Sequence, residues 1–221
     1  MPSILIVGAS RGIGLALAKL CISQGYETTG TCRRISPAMQ DVGGLEIISE
    51  VDIGLKLDSL ESGVKDRSFD NVVVVSGVMR LDSLTDVNLG SKMLECFEVN
   101  AVGPMRVLQV VLPSLKSGSK FAVVTSRMGS ISDNTSGGRY AYRASKCAVN
   151  MCMVSAAQDL KEKGIICGII HPGLVSTDMT DFSSIGITPE ESSQGVLGVL
   201  EGYTHETSGK FYHMNGQELP W

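Results

Sequence analysis

The chain has 221 residues, of which 43% are hydrophobic, and this is enough to bury the core of one α/β domain. The net charge of −4 and the pI of 5.4 argue against a general nucleic-acid-binding protein, because phosphate binding needs a basic surface. No segment approaches the ~20 apolar residues of a membrane span. We therefore expect a single domain over residues 1–221 that binds neither nucleic acid nor membrane.

The six cysteines show neither a Cys-x-x-Cys pair nor the clustering of a zinc site. This pattern favours free thiols in a reducing compartment. We expect a cytoplasmic protein that holds no metal.

Short apolar runs alternate with segments of helical periodicity along the whole chain. The runs predicted as strands are Ile4–Gly8, Glu27–Cys32, Leu45–Val51, Val72–Val75, Lys120–Thr125, Ile165–His171 and Lys210–His213. The segments predicted as helices are Gly12–Gln24, Ile53–Lys65, Gly90–Leu112, Tyr140–Lys163 and Pro189–Gly202. The alternation predicts an α/β fold with a Rossmann-type, doubly wound parallel sheet of about seven strands flanked by helices. In such sheets, ligands bind at the carboxyl ends of the strands.

A glycine-rich loop joins the first predicted strand to the first predicted helix. Its Gly-x-x-x-Gly-x-Gly spacing lets main-chain N–H groups approach a pyrophosphate at a helix N-terminus, although a plain tight turn would also use glycine. The loop residues that we expect to bind a dinucleotide are Gly8, Ser10, Arg11, Gly12, Ile13 and Gly14.

The end of the second strand indicates which dinucleotide binds. An NAD site usually has an acidic residue here, whereas this chain has Arg33, which suits the 2′-phosphate of NADP(H) together with Arg11. A solvated arginine is the alternative. Asp52, followed by Ile53, is expected either to accept from an adenine amino group or to cap the helix predicted from Ile53.

Tyr142 and Lys146 are four residues apart, which places them on one face of the predicted helix. A free tyrosine has a pKa of about 10, and lowering it by ~2 units needs about 3 kcal/mol. A lysine ammonium ~4 Å away can supply an energy of that order. The pair therefore suits acid–base catalysis if it faces a cleft, and a solvated surface pair if it does not.

Other polar residues follow the later strands or interrupt a helix. Ser126 follows the fifth strand, where its hydroxyl could donate to a substrate carbonyl, and Asn100 lies within the long predicted helix despite its low helix propensity. The turn after the sixth strand is expected to hold the nicotinamide end through Pro172, Gly173, Val175 and Thr177.

This ordered set of motifs resembles the short-chain dehydrogenase/reductase family over essentially the whole chain. The segments Gly137–Lys146, His171–Gly173, Thr177–Met179 and Asn215–Trp221 are similar to its carbonyl-reductase-like branch, which includes the sniffer and C-factor-like proteins. The resemblance implies that Tyr142 is the acid/base and that Ser126 orients the carbonyl. It implies that Lys146 lowers the tyrosine pKa and holds the nicotinamide ribose, and that Asn100 supports a proton relay.

The chain departs from the family where the family usually has Asn-Asn-Ala-Gly after the fourth strand. Here the residues are Val74-Val75-Ser76-Gly77. Gly77 is retained, so packing against the adenosine is expected, but the side-chain bonds of the asparagines are lost, which puts local rigidity in doubt. The short stretch after Asp178 leaves little material for a lid, and we expect an open site or one completed by another subunit.

These observations predict an oxidoreductase that transfers hydride between NADP(H) and a carbonyl or alcohol substrate. A nucleotide-bound regulatory protein with little catalysis is the main alternative, and an isomerase or dehydratase is a lesser one. The long helices form the dimer surface in many relatives, so a homodimer is expected. The sequence does not identify the substrate.

Overall fold

A computed structural model describes residues 1–221. Its strands are β1 (Ser3–Val7), β2 (Glu27–Thr31), β3 (Leu45–Ile48), β4 (Phe69–Val74), β5 (Leu115–Val124), β6 (Ile166–His171) and β7 (Phe211–His213). All pair in parallel, in the order β3-β2-β1-β4-β5-β6-β7. The strand order changes direction between β1 and β4, where doubly wound sheets bind their ligands. The predicted fold class is confirmed.

Seven α-helices flank the sheet. They are α1 (Gly12–Ser23), α2 (Pro37–Gln40), α3 (Asp58–Val64), α4 (Leu89–Phe97), α5 (Gly103–Val111), α6 (Tyr140–Asp159) and α7 (Pro189–Gly202). The helix α7 has both of its predicted ends. Its start is fixed by the Thr188 hydroxyl, which accepts from the Glu191 N–H, and by Pro189, which fits the first turn. No helix is long and apolar enough to cross a membrane.

Alternate residues of each central strand enter separate cores on the two faces of the sheet. In β1, Leu5 and Val7 belong to a core that α3, α5 and α6 cover. Ile4 and Ile6 belong to a core that α1 and α7 cover. The two cores fix the helices against the sheet and so fix where side chains at its carboxyl edge can lie.

The helix predicted from Ile53 to Lys65 begins only at Asp58. Residues 52–56 form a tight turn instead, closed by two main-chain bonds between Asp52 and Lys56. The Asp52 carboxylate accepts from the Gly54 N–H at 3.0 Å, and such local side-chain bonds compete with helix formation. The alternative role of Asp52 as the cap of a helix starting at Ile53 is therefore wrong.

The single helix predicted over Gly90–Leu112 is two α-helices joined by a wider turn. The residues between α4 and α5, Glu98–Val102, form a π-helical turn that contains Asn100. Pro104 has no N–H, so it cannot donate to the Asn100 carbonyl as a regular α-helix would require. Asn100 thus lies in a turn of the kind that often occurs at functional sites.

The helix predicted to run from Tyr140 to Lys163 also ends early, at Asp159. Lys161–Lys163 form a 3₁₀ turn, and Gly164 then adopts a φ of 66° in the left-handed region that favours glycine. The early end leaves the first three turns of α6, which carry Tyr142 and Lys146, unchanged from the prediction.

Candidate active site

The carboxyl ends of β1, β2, β4, β5 and β6 lie along one edge of the sheet, where doubly wound sheets have a ligand-binding crevice that we call the groove. The glycine loop follows β1, Arg33 follows β2, Gly77 follows β4 and Ser126 follows β5. The parallel topology alone therefore gathers residues from distant parts of the sequence. Tyr142 and Lys146 reach the same edge from α6, which packs closely against the short turn after Ser126.

Tyr142 and Lys146 are both buried on one face of α6. The Lys146 ammonium donates to the Val124 carbonyl at 3.0 Å and lies 5.7 Å from the centre of the Tyr142 ring. Burial lowers the pKa of Lys146 to about 8. The pair thus faces inward, and a solvated surface pair is excluded.

The pKa of Tyr142 differs from the expectation that Lys146 lowers it. Burial raises this pKa to about 12, while the neighbouring Ser126 hydroxyl acts in the opposite direction. Removal from water disfavours the phenolate, and the Lys146 ammonium is engaged by the Val124 carbonyl. In this structure desolvation outweighs the expected effect, and the phenol is protonated at neutral pH.

Ser126 is held at the end of β5 by the turn that follows it. Its backbone is extended, and its hydroxyl oxygen accepts from the Met128 N–H at 3.2 Å. Gly129 of this turn contacts α6 so closely that a Cβ there would lie 2.7 Å from the Lys146 carbonyl carbon. Close packing thus fixes Ser126 relative to Tyr142 and Lys146.

Asn100 is fully buried and its side chain connects three parts of the site. Its oxygen accepts from the Val78 N–H at 2.8 Å, and its amide donates to the Val78 carbonyl at 2.8 Å and to the Ser145 hydroxyl at 2.9 Å. Ser145 in turn donates to the Tyr142 carbonyl at 2.8 Å. Ser145 is not among the site residues predicted from the sequence, although its place directly before Lys146 in the same helix was a usable signal.

The chain compensates for the missing Asn-Asn pair through its main chain. The N–H groups of Val75 and Ser76 both donate to the Val7 carbonyl, at 2.9 and 3.1 Å, and the Ser76 hydroxyl adds a bond of 3.3 Å to the same oxygen. Asn100 then holds Val78. The segment after β4 is therefore tied to β1 and to the wide turn at Asn100, which answers the doubt about its rigidity.

The glycine positions of the loop cannot accept larger residues. A Cβ at Gly14 would lie 2.0 Å from the Gly8 carbonyl oxygen, and Gly12 has a φ of 54°. The helix α1 begins without a side-chain cap or an acidic residue in its first turn, so its N-terminal amides are available to an anion. The Ser10 carbonyl accepts from the Ser36 hydroxyl at 2.7 Å. The Ile13 side chain is partly buried.

The two arginines expected to bind a 2′-phosphate are exposed and lie beside carboxylates. Arg11 pairs with Asp178 at 2.9 Å, and Arg33 lies 4.0 Å from Asp52. Ile53, next to Asp52, is buried, and a Cβ on Gly103 would lie 2.9 Å from its side chain. Both arginines remain reachable from solvent at this end of the groove.

The turn after β6 lies against the glycine loop. The Pro172 carbonyl accepts from the Ser192 hydroxyl at 2.8 Å, Gly173 has a φ of 86°, and buried Val175 bridges to Ile187. Thr177 is placed so that a Cβ on Gly12 would lie 3.3 Å from its methyl group. The four residues predicted for the nicotinamide end thus follow one another along the rim of the groove.

His171, at the end of β6, is buried with its ring 5.1 Å from that of His213. Burial lowers its pKa to about 3, with His213, Arg127 and Lys146 acting in the same direction. The imidazole is therefore neutral at pH 7.

A sequence profile for short chain dehydrogenases matches residues 2–186. The 1-hydroxy-2-glutathionyl-2-methyl-3-butene dehydrogenase of Rhodococcus sp. (strain AD45) is 36% identical over 232 residues, covering 100% of both chains. C-signal of Myxococcus xanthus is 43% identical over 141 residues, which are 63% of this chain and 84% of C-signal.

Solved structures of reductases have the same fold. Carbonyl reductase Sniffer of D. melanogaster superposes with a TM-score of 0.89 at 28% identity and covers 100% of both chains. The NADPH-bound carbonyl reductase from chicken fatty liver superposes with a TM-score of 0.89 at 26% identity, covering 100% of this chain and 94% of that one. On its profile match, its relatives and this shared fold, the chain is a member of the short-chain dehydrogenase family of oxidoreductases.

Proposed function

We propose that the chain is an NADP(H)-dependent carbonyl reductase in which Tyr142, Ser126, Lys146 and Asn100 are catalytic. The observation that carries this proposal is the buried Tyr142 phenol, which has Ser126 and Lys146 beside it. The main-chain carbonyl of the same residue is connected to Asn100 through Ser145. At neutral pH this phenol is protonated, and the protonated form is the one that gives a proton to a carbonyl oxygen.

The groove fits a dinucleotide. At Gly77 a Cβ would lie 3.3 Å from the Asn100 side-chain oxygen and 3.6 Å from the Lys146 amine, so glycine leaves this part of the groove clear. NADPH, when bound, supplies the hydride. The residues that would hold it are Gly8, Ser10, Arg11, Gly12, Ile13, Gly14, Arg33, Asp52, Ile53, Gly77, Asn100, Tyr142, Lys146, Pro172, Gly173, Val175 and Thr177.

Each catalytic side chain has a distinct role in this proposal. The Ser126 hydroxyl donates to the substrate carbonyl oxygen and orients it, and the Tyr142 phenol donates its proton to that oxygen as charge develops there. The Lys146 ammonium stabilises the resulting phenolate and would hold ribose hydroxyls of a bound cofactor. Asn100 keeps the segment at Val78 in place and would support a proton relay.

The preference for NADP(H) over NAD(H) is inferred from charge. Between Glu27 and Asp41 there is no acidic residue to bind a ribose 2′-hydroxyl, whereas Arg33 is exposed at the end of β2. The chicken reductase binds NADPH, which supports the same cofactor here.

The test is oxidation of NADPH against a panel of ketones and aldehydes, with Tyr142→Phe as the matched variant. The panel includes glutathionyl-bearing carbonyls, and the corresponding alcohols with NADP⁺, because the Rhodococcus relative is a dehydrogenase of a glutathionyl alcohol. We expect turnover by the native protein and a loss of about 10²–10⁴-fold in Tyr142→Phe. Equal activity of the two proteins would refute the assignment.

A regulatory protein that binds the nucleotide without turnover is the second candidate. It is favoured by the similarity to C-signal, which covers 63% of this chain. Tight NADPH binding in the absence of turnover on the whole panel would support it over the reductase.

We further infer a homodimer in the cytoplasm. The helices α4 and α6 expose Leu94 and Met151, with 75% and 67% of each residue accessible, on the elements that form the dimer surface in relatives. All six cysteines are free thiols, which suits a reducing compartment. Light scattering coupled to size-exclusion chromatography tests the dimer, and a monomer mass would contradict it.

A further inference from the structure

The helix that carries Tyr142 begins without a cap of its own. Arg139, the residue before α6, has a φ of 54° in the left-handed region, its side chain makes no capping bond, and the first turn contains no acidic residue. The first N–H groups of a helix have no partner within the helix. Tyr142 is the third residue of α6, so the order of its side chain depends on how this turn is held.

Asp82 holds it from the segment after β4. One carboxylate oxygen accepts from the Tyr140 N–H at 2.7 Å, and the other accepts from the Ala141 N–H at 3.0 Å. A carboxylate at this position also interacts favourably with the positive end of the helix dipole. The cap is therefore supplied from 58 residues earlier in the sequence.

The segment that carries Asp82 is itself bonded to Asn100 in the wide turn and to α4. We call Gly77–Asp82 the crossing segment. Asn100 binds both the N–H and the carbonyl of Val78 at 2.8 Å, and Arg80 pairs with Glu95 on α4. The crossing segment thus connects the wide turn at Asn100 to the first turn of α6.

We propose that Asp82 is a positioning residue for catalysis: it sets the first turn of α6, and hence the Tyr142 hydroxyl, relative to Asn100. The proposal rests on the proposed function of Tyr142 as the acid. Asp82 touches neither the reacting atoms nor the expected cofactor groove, so it acts on the geometry of proton transfer and not on cofactor binding. Displacing a catalytic group by ~1 Å is enough to lower a rate 10²-fold.

The experiment compares Asp82→Ala and Asp82→Asn with the native protein and with Asp86→Ala. Asp86 is a matched control because it also accepts from a main-chain N–H, that of Asn88, and pairs with Lys92. Lys92 in turn donates to the Leu81 carbonyl at 2.7 Å, so Asp86→Ala disturbs the crossing segment without removing a bond to α6. We expect kcat to fall about ten-fold in Asp82→Ala, with KM for NADPH within about two-fold of native. Asp82→Asn, which keeps one acceptor oxygen, should recover part of the loss.

Hydrogen exchange gives a readout that does not depend on turnover. The amides of Tyr140 and Ala141 should exchange faster in Asp82→Ala and remain protected in Asp86→Ala. A native kcat in Asp82→Ala, when Tyr142→Phe is inactive, would overturn the positioning role while leaving the proposed function intact. Equal kcat losses in Asp82→Ala and Asp86→Ala would also overturn it. If Tyr142→Phe is fully active, the proposed function fails, and with it the positioning role, whatever the exchange result.

Discussion

The two ends of the groove are built in different ways. We call the part formed by Arg11, Arg33 and Asp52 the outer end, and the part formed by Asn100, Ser126, Tyr142 and Lys146 the inner end. The arginine side chains of the outer end are 70% and 71% exposed, whereas Asn100 and Lys146 are 1% and 4% exposed. Charges in water interact weakly and are easily exchanged, while buried polar groups must keep their partners. Changes at the inner end should therefore have large effects, and changes at the outer end small and selective ones.

Lys146→Met should give the largest effect on activity and an opposite effect on stability. We expect kcat to fall about 10²–10⁴-fold, because the charge beside Tyr142 is lost. At pH 7 the variant should nevertheless be more stable. In the native protein the fall of the Lys146 pKa from 10.5 to about 8 opposes folding by about 3 kcal/mol, and the variant is free of this cost. The variant also loses the bond from Lys146 to the Val124 carbonyl, which reduces its gain in stability by about 1 kcal/mol.

The pH dependence identifies the cause of this stabilisation. Because the folded protein binds its Lys146 proton more weakly than the unfolded chain does, native stability rises between pH 8 and 10.5, and the advantage of the variant should disappear there. Urea unfolding at pH 7, 9 and 10.5 measures this, with exposed Lys19→Met as the control. An advantage of Lys146→Met that is constant with pH would contradict the burial argument.

His171→Phe should remove part of the acid sensitivity of the fold. The pKa of His171 is about 3 in the folded protein, compared with 6.5 for an unperturbed histidine of the unfolded chain. The unfolded chain therefore binds this proton more strongly, and the native protein loses stability as the pH falls from 6.5 towards 3. Two pH units in this window correspond to about 3 kcal/mol. We expect the difference in unfolding free energy between variant and native protein to shift by this amount between pH 6.5 and 4.5.

The matched control is His205→Phe, which changes an exposed histidine. Its unfolding free energy should follow that of the native protein at every pH. If His171→Phe and His205→Phe have the same pH dependence, the buried imidazole is not the cause.

Arg33→Ala should act on cofactor choice alone. Loss of one exposed charge-assisted bond to a 2′-phosphate should raise KM for NADPH about ten-fold and leave KM for NADH unchanged. Arg34→Ala, the neighbouring exposed arginine, serves as the control and should change neither value. Equal effects of Arg33→Ala on NADPH and NADH would reject the phosphate contact.

Asp178→Asn should have the smallest effect. It releases Arg11 from an exposed ion pair, and such pairs contribute between 0 and about 1 kcal/mol. We expect KM for NADPH to fall about two-fold, with the difference disappearing at high salt as screening increases. A rise in KM would indicate that Asp178 orders the rim of the groove instead.

The features that could be predicted from the sequence are those set by local pattern. Apolar runs predicted the strands of the sheet, and the helix predicted over Pro189–Gly202 has the same ends in the structure. The predicted start of α3 at Ile53 was wrong, because the Asp52 carboxylate accepts from the Gly54 N–H and this local bond competes with helix formation.

The features that could not be predicted depend on contacts between distant residues. The bond from Asn100 to Val78 and the cap from Asp82 to α6 join segments that no periodicity relates. The pKa of Tyr142 depends on how completely packing excludes water, and spacing from Lys146 gave the wrong direction. The residue types of the site were therefore accessible from sequence, but their electrostatics were not.

The wide turn at Glu98–Val102 behaves like a one-residue insertion in a helix. One additional residue per turn rotates everything that follows by about 100° relative to a regular helix. The buried side chains of α5, among them Val107 and Val111, face the sheet only with that rotation included. A deletion that straightened the helix would therefore turn these valines away from the core, so the position of Asn100 and the core packing some two turns later depend on the same turn.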